Sequence, residues 1–202
     1  MTVPRAMFAC CVWNGKILVA GGFTTCRKSI SKAKIYDPVT DTWDPILDLV
    51  HSYNAACTGL VIDGAVHVVH KGLSTDQMLE NLKDKWRVCD CLSIQDPMTV
   101  VNGSLYAMSH WFIFKKEPNM WKVVAAVLDA NMRIGYSMMG FRDDIYIIGG
   151  VGAPEGWNRD IKKKLEVDVL LLGNKNEKPV WQKAASMTRC QGSVIGCAEL
   201  RI

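Results

Sequence analysis

Two apolar segments on either side of an Asn-Gly pair give the clearest pattern in the chain. Between Val12 and Gly22 the sequence reads VWNGKILVAGG, with Asn14-Gly15 at the centre. Asn and Gly both tolerate the positive φ of a type I′ turn, whose twist matches that of the strands it joins. The pattern predicts a β-hairpin that ends in a double glycine, where a Cβ would obstruct a sharp bend.

The hairpin pattern recurs along the chain. Comparable turns follow at Asp63-Gly64, Asn102-Gly103 and Arg142-Asp143. Spacings of about 40 to 50 residues between β-type units are typical of propeller blades. The position of the double glycine is occupied in order by Gly21-Gly22, His70-Lys71, Ser109-His110 and Gly149-Gly150. The chain is therefore expected to be all-β and built from repeats.

The outer half of each repeat carries a tryptophan. In the first repeat Tyr36 leads through the polar turn Asp37 to Asp41 into Trp43. We expect the matching tryptophans to pack between adjacent sheets, as large amphipathic side chains do. They are Trp86, Trp121 and Trp181.

The order of apolar strand, Gly-Gly, Tyr and Trp resembles the kelch motif. An unrelated antiparallel sandwich is the alternative, but it does not require these features to recur in one order. The resemblance implies a kelch-type β-propeller with about four four-stranded blades and one extra C-terminal strand. The expected blades span 4–50, 51–92, 93–130 and 131–187, and the final strand spans 188–202. The structural repeat positions are Gly21, Gly22, Tyr36, Trp43, Trp86, Trp121, Gly149, Gly150 and Trp181.

A closer resemblance covers essentially the whole chain and is to plant F-box/kelch-repeat proteins of the Skp-interacting-partner group. Its most specific stretches are Val3–Cys11, Val19–Ser31, Val66–Thr75 and Met187–Cys190. The resemblance implies a propeller that selects protein substrates for a cullin-based ubiquitin ligase, while a separate F-box docks a Skp-type adaptor. Because the sequence starts at a first blade strand, we expect the F-box and one or two blades to be missing and the ring to be incomplete.

The composition and net charge narrow the class of protein, its location and its partners. The 202 residues are 49% apolar and 22% charged, which is ordinary for a globular protein. No apolar run reaches the roughly 20 residues of a membrane span, so a cytoplasmic or nuclear location is expected, with no membrane partner. The net charge of +4 does not by itself indicate nucleic acid. The eight cysteines are expected to be free core thiols.

A partner surface is predicted from the register. In antiparallel strands, the residue that enters the first strand of a blade lies beside the residue that leaves the second. The positions entering a first strand are polar, and the loops leaving a second strand are cationic and aromatic. These partner-binding candidates are Arg5, Arg27, Lys28, Asn54, His70, Lys71, His110, Trp111, Arg133, Trp157, Arg159 and Arg189.

Arginine with tryptophan is the composition of binding hot spots, and the arginine fork suits carboxylates and phosphates. We therefore expect this surface to bind an acidic or phosphorylated segment of a protein substrate. The plainer interpretation is that these are solvated surface cations. His67 is expected to be a satisfied inter-strand group, and Met138 to be a packing residue.

Catalysis is the competing class, because a copper radical oxidase or an iron-dependent specifier protein can share this fold. Both require a metal site. The four histidines, His51, His67, His70 and His110, are scattered over three repeats, so neither a metal nor a cofactor is predicted. A ligase-independent scaffold or decoy that binds the same substrates is the remaining alternative. Fold alone does not decide among them.

Overall fold

The computed structural model describes residues 4–73, 75–89, 97–109, 112–127, 133–152, 166–173 and 177–187, with 133–134 and 151–152 as backbone only. The strands in these ranges form four four-stranded sheets and one two-stranded sheet. None of these residues belongs to a helix long and apolar enough to cross a membrane. The chain divides into two compact units, residues 1–96 and 97–202.

The first unit contains two antiparallel sheets, each paired in chain order. The first sheet consists of β1 (Ala9–Trp13), β2 (Lys16–Ala20), β3 (Ala33–Asp37) and β4 (Thr42–Ile46). The second consists of β5 (Cys57–Ile62), β6 (Ala65–His70), β7 (Asp76–Leu79) and β8 (Arg87–Cys89). We call each four-stranded sheet a blade.

The second unit repeats this arrangement. Its first blade consists of β9 (Met98–Val101), β10 (Ser104–Ser109), β11 (Phe112–Lys116) and β12 (Trp121–Ala126). A short pair follows, in which β13 (Arg133–Ile134) lies beside β16 (Val151–Gly152). The second blade consists of β14 (Ser137–Phe141), β15 (Asp144–Ile148), β17 (Val167–Leu171) and β18 (Val180–Lys183).

The four predicted hairpin turns are confirmed. Each blade's first two strands are joined by two residues, as in the pairing of Trp13 with Lys16. Asn14-Gly15, Asp63-Gly64 and Asn102-Gly103 all have φ between 49° and 82°, as a type I′ turn requires. Arg142 opens the fourth turn with φ 54°.

Neighbouring blades pack through their inner strands in both units. A Cβ on Gly59 of β5 would lie 2.9 Å from the backbone nitrogen of Cys10 on β1. A Cβ on Gly140 of β14 would lie 2.6 Å from Val101 Cγ2 on β9. Glycine at these two positions therefore permits a close approach between sheets, and apolar side chains such as Leu18 and Ile145 fill the two cores.

Two of the repeat tryptophans connect neighbouring blades. Trp86 is 3% exposed, and its Nε1 donates to the carbonyl oxygen of Leu47 at 2.8 Å. In the second unit, Trp181 Nε1 donates to the carbonyl oxygen of Ala126 at 2.8 Å. Trp43 instead packs on Tyr36 across its own hairpin, with ring centroids 5.1 Å apart.

The four sheets lie inside the predicted blade ranges, whose exact bounds stay a prediction. The predicted final strand, 188–202, lies outside the described residues. The cysteine prediction was right in part: Cys10, Cys11, Cys26, Cys57 and Cys89 are free. It was wrong to place all of them in the core, since Cys10 and Cys26 are exposed: Cys10 points away from the sheet interior, and Cys26 lies in a loop.

Candidate partner-binding face

Four loop segments of the first unit lie at the same ends of its strands, because β1 starts beside the end of β2 and β5 starts beside the end of β6. They are residues 4–8, 21–32, 47–57, which include the first residue of β5, and 71–73, and we call this surface the loop face. Backbone hydrogen bonds connect them, from Cys57 N to Met7 O at 2.8 Å and from Leu49 N to Ser31 O at 2.9 Å. The loop face is therefore a continuous surface of the first unit.

Arg27 and Lys28 are exposed cations of the loop face, in the segment between β2 and β3. Arg27 N donates to Thr24 O, and Thr24 N donates to Lys28 O, both at 2.9 Å. Arg27 adopts φ 56°, so the chain reverses there and both side chains are exposed. Asn54 and Lys71 are also exposed on this face. These four predicted residues are the ones that a partner could contact directly.

Arg5 lies on the same face but is half-buried. Its Nη1 donates to the carbonyl oxygens of Lys32 at 2.7 Å and Gly21 at 3.2 Å. Burial lowers the pKa of the guanidinium, and the carboxylate of Asp48 acts in the opposite direction. Its contacts therefore indicate that Arg5 holds the loop that follows the double glycine.

Backbone conformation and lack of space explain why glycine occupies both positions of the double glycine. Gly21 and Gly22 have φ 69° and 86°, and a Cβ on Gly22 would lie 2.5 Å from Ala6 O. Gly149 and Gly150 have φ 65° and 104° in the second unit. Backbone bends of this kind favour glycine, and at Gly22 no side chain would fit.

His70 is not accessible to a partner in this structure. It is the last residue of β6, and only 1% of its surface is exposed. The ring of Tyr53 packs edge-on against it, with the two ring centroids 4.7 Å apart. Burial lowers the pKa of His70 to about 4, although the charge of Asp76 opposes the shift. The imidazole is therefore neutral at neutral pH.

Gln77 determines how the His70 ring is protonated. Its Oε1 accepts from His51 N at 3.0 Å and its Nε2 donates to His51 O at 2.9 Å, which fixes the orientation of the amide. The same Nε2 lies 2.8 Å from His70 Nε2, so that ring nitrogen must accept. The ring proton is then on Nδ1, which points at Cys57 Sγ, 3.4 Å away. This buried network holds residues 51–57 of the loop face in place.

The remaining predicted residues are not part of this surface as described. Arg133 belongs to β13 in the second unit, where its backbone pairs with Gly152. Five predicted residues lie outside the described residues: His110, Trp111, Trp157, Arg159 and Arg189. Their part in binding stays a prediction.

His67 is a satisfied inter-strand group, as predicted, since it is 7% exposed with Nδ1 2.6 Å from Asp76 Oδ2. Met138 is likewise buried in the core of the second unit. Within the described ranges, no three His, Cys, Asp or Glu side chains come together in a way that could hold a metal ion.

The repeated four-stranded antiparallel blades with two-residue inner turns define a kelch-type β-propeller fold. Residues 4–46 match the Kelch motif. The solved structure of YjhT has the same fold, with a TM-score of 0.63 and 13% identity over 92% of this chain and 72% of that one.

Over its whole length the chain is similar to plant F-box/kelch-repeat proteins. It is 53% identical to the F-box/kelch-repeat protein SKIP30 of Arabidopsis thaliana, over all of this chain and 57% of that protein. It is 26% identical to the F-box/kelch-repeat protein At1g16250 of the same plant, over 99% of this chain and 59% of that protein. The chain thus spans somewhat more than half the length of these relatives.

Proposed function

We propose that this chain is the substrate-recognising part of a ubiquitin ligase adaptor and that it has no catalytic activity of its own. The similarity to F-box/kelch-repeat proteins over the whole chain is the observation that carries the proposal. In such an adaptor, the propeller binds the substrate and an F-box binds a Skp-type adaptor protein. The proposed site of action is the cytoplasm or the nucleus, where the adaptor would meet its ligase.

The loop face is the proposed substrate site. Arg27, Lys28 and Lys71 are exposed there, and Asn54 adds an amide that can donate as well as accept. A cationic surface raises the association rate of acidic partners and favours carboxylate or phosphate groups. The proposed partner is therefore an acidic or phosphorylated segment of a protein.

The proposal is tested by purifying the tagged protein, expressed from its complete transcript, out of plant cells. A ligase adaptor should recover a Skp-type adaptor together with substrate proteins that accumulate when the proteasome is inhibited. Phosphatase treatment of the lysate would show whether recognition requires phosphate. Recovery of substrates without the Skp-type adaptor would instead identify a ligase-independent scaffold or decoy, and overturn the ligase proposal.

A further inference from the structure

Met7 combines an exposed apolar side chain with an unfavourable backbone conformation. It lies in the segment that leads into β1, its side chain is 61% exposed, and its φ is 53°. Such φ values are uncommon outside glycine, asparagine and aspartate. Among the residues that the structure describes, Met7 is the one apolar residue other than glycine with a positive φ. Glycine would adopt this conformation without steric cost, so the backbone alone does not explain a methionine here.

Neighbouring segments fix the backbone of Met7 on both sides. Ala6 and Phe23 exchange two hydrogen bonds of 2.9 Å, and the carbonyl oxygen of Met7 accepts from Cys57 N at 2.8 Å. Gly22 packs so closely that a Cβ on it would lie 2.5 Å from Ala6 O. A strained residue persists only where the surrounding structure determines its conformation, and such residues cluster at binding sites. The fold therefore holds the Met7 side chain exposed on the loop face.

Met7 lies between the two segments whose exposed polar residues are proposed to bind a partner. On one side, the residue before it pairs with Phe23, which leads into the turn that carries Arg27 and Lys28. On the other side, its carbonyl oxygen is bonded to the segment that carries Asn54. Residues that anchor a partner concentrate near the centre of an interface, and the flexible, polarisable methionine side chain adapts to apolar groups. Met7 has the position and the chemistry of such an anchor.

We propose that Met7 is a specificity-determining contact of the loop face, and that the acidic or phosphorylated segment bound there carries a leucine-sized side chain that packs on Met7. This inference rests on the proposed function of the loop face and adds an apolar requirement to it. Leu47 and Val50, which are 49% and 50% exposed on the same face, extend its apolar surface beyond Met7. Cations recognise the charge of a segment, whereas an apolar contact discriminates among acidic segments.

The probes for this contact are two capped peptides, Glu-Asp-Leu-Asp-Glu and Glu-Asp-Ser-Asp-Glu, each titrated into the 202-residue chain. The ε-methyl resonance of Met7 reports on binding, and that of Met138, buried in the core of the second unit, is the internal control. We expect the leucine peptide to shift the Met7 signal at about millimolar concentration and to bind about fivefold more tightly than the serine peptide. A Met7 signal that does not shift at several times that concentration would overturn the inference.

Met7→Gln tests the contact itself, because glutamine has nearly the length of methionine and keeps the backbone strain but ends in a polar amide. The roughly fivefold preference for the leucine peptide should fall below about twofold in this variant, as a double-mutant cycle measures. Met7→Leu should keep the preference. So should Val39→Thr, the matched loss of an exposed apolar group in the turn between β3 and β4, where Val39 is 91% exposed. An equal preference in Met7→Gln and the natural chain would overturn the inference.

Arg27→Glu/Lys28→Glu separates this inference from the proposed function. If the loop face binds acidic segments, both peptides should bind this variant about tenfold more weakly than the natural chain. Unchanged binding of both peptides would overturn the acidic-partner function and the role of Met7 with it. Weaker binding, together with a leucine preference that survives Met7→Gln, would overturn the role of Met7 alone.

Discussion

The indole nitrogen of Trp86 donates a 2.8 Å hydrogen bond to the carbonyl oxygen of Leu47, and this bond ties the second blade of the first unit to the end of the first. Trp86 is almost fully buried, whereas Leu47 is 49% exposed, so the bond is partly shielded from water. The same type of contact, from Trp181 to Ala126 O, connects the blades of the second unit. Trp86 and Trp181 thus join neighbouring blades as well as filling space.

Trp86→Phe should lower the free energy of unfolding by about 1 to 3 kcal/mol, because the carbonyl of Leu47 loses its partner in a partly buried setting and the smaller ring fills less of the core. Urea denaturation followed by circular dichroism measures the change. Trp43→Phe is the control, since Trp43 is only partly buried and packs on Tyr36 within its own blade, and it should cost less than about 1 kcal/mol. Equal losses in the two variants would contradict a special role for Trp86.

Gly22→Ala should destabilise the protein much more than Gly15→Ala. Both residues have positive φ, so both substitutions incur a backbone cost of about 1 to 2 kcal/mol. At Gly22 the new Cβ would also meet Ala6 O at 2.5 Å, whereas at Gly15 nothing lies within 4 Å. The overlap should add about 1 to 3 kcal/mol, which a comparison of urea midpoints would detect. Similar urea midpoints for the two variants would show that the backbone around Gly22 can shift to accommodate the Cβ, and would contradict this prediction.

Acid should destabilise the fold through His70. Its pKa is lowered from 6.5 to about 4 by burial, so the unfolded chain binds the proton more readily than the folded one. Stability from this residue is therefore fully present above the unfolded pKa, falls as the pH drops below 6.5, and falls no further below about 4. The loss amounts to roughly 3 kcal/mol at its limit.

His70→Asn isolates that effect. The variant lacks the titrating ring, so its stability should change less between about pH 7 and pH 5 than that of the natural chain. Chemical denaturation across this range gives both curves. Parallel curves would contradict the role of His70 in the acid response.

Gln77→Met should loosen residues 51–57 of the loop face without altering any exposed side chain. The substitution removes the amide that bonds both backbone groups of His51 and the ring of His70. The His70 ring is buried, and a buried group left without its partner costs about 1 to 3 kcal/mol, so stability should fall measurably. Amide hydrogen exchange at His51 should become faster, while the amide of Gly140, bonded to Thr99 in the second unit, serves as the reference. Unchanged exchange at His51 would contradict the role of Gln77.

Local chemistry explains why the fold could be predicted so fully. Turns such as Asn14-Gly15 depend on the φ preferences of two adjacent residues, and these are visible in the sequence. The register of each hairpin then follows from the alternation of side chains along its strands. This register predicts that Arg27 and Lys28 lie at the end of the first unit where β1 starts, as they do in the structure.

The site was harder to predict, because burial depends on segments distant in sequence. The register places His70 at the end of β6 but cannot show that Tyr53 and Gln77 enclose it. The sequence predicts Arg5 to be a surface cation. Only the structure shows that its guanidinium donates to Gly21 O and Lys32 O. The hydrogen bond from Trp86 to Leu47 O joins residues 39 positions apart, and no spacing rule in the sequence predicts it.

Recovery of partner proteins by the variant Arg27→Glu/Lys28→Glu tests the central claim most directly. The matched control is Lys122→Glu/Lys178→Glu, which makes the same charge change at exposed positions of the second unit. If the loop face binds an acidic or phosphorylated segment, the first variant should recover about tenfold less partner from plant cells than the natural chain, and the control should recover nearly as much. Equal recovery by both variants and the natural chain would contradict the account.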